Sequence, residues 1–109
     1  MRRGEVWTQA GGSGYARKPR PVLVVQSDLL EGTDSVVIVL FTSLEGARLN
    51  ARLPFTPNAT NGLIEESELM VDKIMTVPRT KLGRMIGTLS VEEMGEVQQA
   101  LAFVLGFAR

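Results

Sequence analysis

The chain has 109 residues, neither cysteine nor histidine, and twelve basic side chains that balance twelve acidic ones. That length suits one domain, 1–109, with a core of its own. The missing cysteine and histidine exclude disulfides, thiolate nucleophiles, imidazole bases and the usual transition-metal ligands. Zero net charge argues against tight, sequence-blind duplex binding, which relies on many phosphate contacts.

Met1-Arg2-Arg3 leads into Gly4-Glu5 and not into an apolar stretch, so no secretory signal is expected. The longest apolar run, Val36 to Phe41, is too short to span a membrane. Together with the absent cysteine this points to a reducing cytoplasm.

In chain order, Glu5-Val6-Trp7-Thr8 alternates in polarity and predicts a first strand. Gly11 to Pro19 is a long glycine-rich loop, a kind of segment that often carries function. Tyr15 in that loop suits stacking on a base or pinning the loop itself. Pro19 and Pro21 then stiffen the backbone on either side of Arg20. The strand that follows, to Gln26, is apolar on both faces. Ser35 to Phe41 is a second doubly apolar strand, which ends at the hydroxyls of Thr42 and Ser43.

Leu49 to Phe55 alternates with period two, and Pro54 places it at an edge or a strand end. Ser67 to Ile74 and Gly83 to Thr88 predict two further strands. Ser90-Val91-Glu92-Glu93 is a capping box, and Met94, Val97, Leu101, Val104 and Leu105 recur at helical spacing up to Gly106. Short strands and one terminal helix indicate an α+β fold, a small antiparallel β-barrel with the helix packed against it.

The charges are unevenly placed. Arg2, Arg3, Arg17, Lys18 and Arg20 crowd the first segment, while Lys73, Arg79, Lys81 and Arg84 form a second basic one. If the two meet in space they make an anion-binding patch. Three residues suit phosphate chemistry: Arg20 at a strand entrance, Thr42 at a strand exit and Asp72 in the basic region. A guanidinium stays protonated and offers fixed donors, a hydroxyl holds a second oxygen, and a carboxylate accepts a proton. Each also has a plain structural use in an ion pair or a turn.

MRRGEVW at the start, GGSGYARKPRPVLVVQSD around Arg20, VIVLFTS ending at Thr42-Ser43 and ESELMVDKIMTVPRTKLGRMIGTLS across Asp72 resemble the MazF/PemK family of toxins from toxin–antitoxin systems. The likeness covers nearly the whole chain in order. It implies the SH3-like toxin fold shared with CcdB and a homodimer. It further implies a ribosome-independent endoribonuclease that cuts single-stranded mRNA, uses no cofactor or metal, and is held inactive by a cognate MazE-like antitoxin.

By this resemblance Arg20 and Thr42 match the catalytic arginine and threonine, and Asp72 matches an acidic position credited with base or RNA-contact work. Ser13, Ser67 and Lys73 fall where relatives contact RNA. Tyr15, Arg17, Lys18 and Ser43 complete the expected RNA-binding set. The loop departs from the pattern, with Gly14 where glutamate is common and Lys18-Pro19 before Arg20, so the general base stays open. The alternatives on the same fold are a CcdB-like gyrase poison, and a catalytically silent barrel that binds antitoxin or nucleic acid.

Overall fold

The computed structural model describes residues 1–10, 19–44 and 51–108. Among these residues six antiparallel strands form one sheet: β1 (Glu5–Gln9), β2 (Arg20–Val24), β3 (Ser35–Ser43), β4 (Arg52–Phe55), β5 (Ser67–Pro78) and β6 (Leu82–Thr88). The spatial order is β4-β5-β3-β2-β1-β6, and α1 (Val91–Val104) packs on one face. The doubly apolar readings of β2 and β3 therefore hold, although β2 ends at Val24, two residues before the expected Gln26. Of the expected strand 49–55, β4 is Arg52–Phe55, and residues 49 and 50 lie outside the described residues. Val22 and Val24 on β2 join Val36 and Ile38 on β3, with Trp7 and Val77, in one cluster. Leu23, Val39, Phe41, Leu69 and Val71 face the other way, toward Val97 and Ala100 of the helix. A central pair of strands covered on both sides must be apolar on both sides, which is why β2 and β3 do not alternate.

Two features curl the sheet toward a barrel. The first is an irregularity in β5. Val39 pairs with Ile74 while Phe41 pairs with Leu69, so Met70 to Lys73 stand opposite Leu40 alone. Extra residues on one strand bend it and raise its twist. The freed segment turns to β4, where Met70 pairs with Arg52. The second feature is the segment after β4, which bridges the two sheet edges. Asn61 is buried; its Oδ1 accepts from the Asn58 and Leu63 amides and its Nδ2 donates to the Thr56 carbonyl. The Thr88 amide donates to the Thr60 carbonyl at 2.9 Å. The approach is so close that a Cβ on Gly87 would lie 2.3 Å from the Asn61 carbonyl carbon, and Gly62 sits at φ +70 against the backbone of Ile86.

β5 runs four residues past the predicted Ile74, because β3 supplies partners as far as the Ser35–Pro78 pair. Pro78 falls at the end of the ladder, where a missing N–H is tolerated. The capping box forms as expected: Ser90 Oγ accepts from the Glu93 amide, and Glu93 reaches back to the Ser90 amide at 2.8 Å. Gly106 takes φ +83 and ends the helix. Leu105 is the C-cap and is exposed, so the buried helix face stops one residue earlier than its spacing suggests. Among the described residues no helix is long and apolar enough to cross a membrane.

Candidate nucleic-acid interface

One end of the sheet opens into a groove of about 1210 Å³. Arg20, Thr42 and Ser43 form one wall, Arg84, Met85 and Ile86 of β6 another, and Gly62 to Glu65 with Ser67 a third. The ladder explains why Arg20 and Thr42 meet. β2 and β3 pair Val24 with Ile38 and Val22 with Leu40. Continued by two residues, that register sets Arg20 opposite Thr42 on the same face, within reach of one bound group. Ser43 Oγ donates to Glu65 Oε1 at 2.5 Å, and Ser67 Oγ donates to the Glu65 carbonyl at 2.8 Å. A smaller depression of about 420 Å³ lies at the start of α1, but its cation, Arg3, is already engaged by the Val25 carbonyl.

The expected site divides. Arg20, Thr42, Ser43 and Ser67 come together in the groove, whereas Asp72 and Lys73 are not among the residues lining it. Asp72 lies in the bent part of β5 and accepts from Arg52 twice, from Nε at 2.7 Å and from Nη2 at 3.2 Å. The Arg52 guanidinium holds the Asp72 carboxyl below the ordinary carboxylate range, which stabilises the anion and weakens it as a proton acceptor. Arg52 Nη1 also donates to the buried Glu68 at 3.1 Å. Ser13, Tyr15, Arg17 and Lys18 lie outside the described residues. Trp7 is half-buried in the core and its indole N–H donates to Glu5 at 2.9 Å, so it is occupied as a core side chain.

Among the described residues, the two basic segments meet in the groove through Arg20 and Arg84. Arg79 of the second segment instead donates to the carbonyls of Thr33, Leu30 and Glu31. Among the described lining residues, Arg84 reads in the sequence only as one member of a basic run, and Glu65 is not among the expected site residues. Their neighbours in sequence carry similar charge, and only the fold separates them from those neighbours.

A family model described as PemK-like, MazF-like toxin of type II toxin-antitoxin systems matches residues 2–105. The chain belongs to the PemK/MazF-like toxin family. It is 40% identical over 108 residues to a probable endoribonuclease MazF of Mycolicibacterium smegmatis, covering 99% of both chains. It is 33% identical to a probable endoribonuclease MazF2 of Mycobacterium tuberculosis, over 93% of this chain and 94% of the relative. Among solved structures, a mycobacterial endoribonuclease in complex with its cognate antitoxin superposes with a TM-score of 0.82, at 24% identity over 100% of this chain and 98% of the other. MazF in a MazE–MazF complex from Deinococcus radiodurans superposes at 0.78, with 15% identity over 99% and 98% of the two chains. The barrel-like sheet with a terminal helix is thus the fold of MazF toxins.

Proposed function

We propose that this MazF-family chain is the toxin of a type II pair and a sequence-specific endoribonuclease that cleaves single-stranded RNA. The observation that carries the reading is that Arg20 and Thr42, on the neighbouring strands β2 and β3, both line the wall of an open groove. The Arg20 guanidinium makes no hydrogen bond or ion pair with the described residues, so its donors are available to a phosphate.

RNA brings its own nucleophile. The 2′-hydroxyl oxygen attacks the adjacent phosphorus as its proton leaves to a base, the bond to the 5′-oxygen breaks, and that oxygen takes up a proton. The products are a 2′,3′-cyclic phosphate and a 5′-hydroxyl. Arg20 and the Thr42 hydroxyl stabilise the negative charge that builds on the phosphoryl oxygens, a contribution of roughly 3 to 4 kcal/mol per donor. Glu65 is the carboxylate among the described lining residues and takes the proton. Asp72, held by Arg52, organises β5 instead. Unstacked bases are read at their edges along the rest of the groove. The protein works in the cytoplasm as a homodimer, and a MazE-like antitoxin restrains it by covering the groove.

The test is a defined long RNA incubated with pure protein, its new 5′ ends mapped, alongside Arg20→Ala and Thr42→Ala. Discrete cuts ending in 5′-hydroxyls are expected, with each variant losing about 100-fold or more in kcat while staying folded. Substituting 2′-deoxy at the mapped position should abolish cleavage there. Intact RNA with the wild-type protein, or cleavage of the deoxy substrate, would overturn the reading.

A further inference from the structure

The described arginines fall into two groups. Arg2 pairs with Asp28 and Glu31, Arg3 donates to the Val25 carbonyl, Arg52 holds Asp72 and Glu68, and Arg79 donates to the loop carbonyls around Thr33. Arg20 and Arg84 make no side-chain hydrogen bond or ion pair among the described residues, and both line the same groove. An arginine left without internal partners gives up little when it binds an external anion, since no existing pair must first be broken.

Arg84 owes its place to a bulge. Trp7 pairs with Met85 and Gln9 with Leu82, so Gly83 and Arg84 together stand opposite Thr8. Thr8 Oγ1 accepts from the Arg84 amide at 3.1 Å, and a Cβ on Gly83 would lie 2.6 Å from that oxygen. The hydroxyl thus fills the space that a side chain at 83 would need. Bulges of this kind re-aim the neighbouring side chain. Here β6 lies two strands from β2, about 10 Å across the ladder, which is a short span for two extended guanidinium groups.

We infer that Arg84, aimed by the Thr8–Gly83 bulge, is a second phosphate-binding position that holds a backbone phosphate of the RNA beside the one attended by Arg20. The inference rests on the ribonuclease reading for the identity of its ligand. Arg84 positions the strand and carries no sequence information of its own, because a phosphate is the same at every nucleotide.

Binding of a fully 2′-O-methylated, random-sequence RNA 12-mer, which cannot cyclise, is measured against salt concentration for wild type, Arg84→Gln, Arg84→Lys and Gly83→Ala. Arg84→Gln should weaken binding about tenfold at low salt, as for one charged hydrogen bond. Its log–log salt slope should become shallower by about 0.7 for each phosphate no longer neutralised. Arg84→Lys should restore the slope but not the full affinity. Gly83→Ala should weaken binding while the charge remains, because the Thr8 hydroxyl must give way and with it its bond to the Arg84 amide. In cleavage assays Arg84→Gln should raise KM more than it lowers kcat, with the cut motif unchanged. An unchanged salt slope, or an altered motif indicating a base contact, would overturn the inference even where wild-type cleavage proceeds as proposed. A wild-type protein that fails to cleave would instead remove the nuclease reading, and the slope measurement would still decide whether Arg84 holds phosphate.

Discussion

Arg52 joins two carboxylates across the β4–β5 pair, and its removal by Arg52→Met tests how that edge is held. Methionine keeps an apolar stem of similar reach and deletes the charge. Glu68 has a side chain only 2% exposed, so losing its guanidinium leaves a desolvated carboxylate without that cation. Breaking a buried pair costs about 3 to 5 kcal/mol. Arg52 is itself 23% exposed, which favours the lower end of that range. Asp72, one-third exposed, adds at most about 1 kcal/mol. The sum is about 3 to 4 kcal/mol, a large part of the roughly 5 to 15 kcal/mol of a small domain. It corresponds to a fall in Tm of roughly 12 °C or more.

Urea unfolding at fixed protein concentration reads this directly, with Asp72→Asn and Glu68→Gln as single controls. Asp72→Asn should cost much less than Arg52→Met. Acid should narrow the gap between wild type and Arg52→Met. Asp72 has its folded value below the ordinary 3.8, so its increment is complete above that pH and is lost as pH falls through the lower folded value. An Arg52→Met protein within about 1 kcal/mol of wild type, or one whose deficit grows in acid, would refute this account of the edge.

Three further variants test the bridge between the sheet edges and the roles assigned to the two acids. Gly87→Ala forces a Cβ to within 2.3 Å of the Asn61 backbone, so the bridge between the sheet edges must move. A loss of about 3 kcal/mol is expected by thermal denaturation, as for severe steric misfits, and a neutral result would show that the 58–63 segment yields easily. Glu65→Gln should lower kcat about 100-fold with little change in KM, the usual worth of a positioned base. Asp72→Asn should leave kcat within about threefold, because Asp72 acts at the β4–β5 edge and outside the groove. The reverse ranking would return the base to Asp72.

Local order is legible in the linear chain. Strand periods, the Ser90 capping box and the stop at Gly106 each depend on neighbours within a few residues, and such signals survive in the linear chain. Arg20 and Thr42 stand out because both lie at strand ends that the pattern marks, and family likeness attaches the catalytic expectation to them. The tertiary fold separates charged residues of similar type by the partners it gives them. Asp72 and Glu65 are both acids within or just before β5, yet one faces Arg52 across an irregular ladder and the other faces a groove. Arg79 and Arg84 share one basic run, yet the first is bound to loop carbonyls and the second is turned outward by a bulge opposite Thr8. Those partnerships depend on register between strands far apart in sequence, and a shift of one residue moves a side chain to the other face. No local pattern encodes where such a shift occurs.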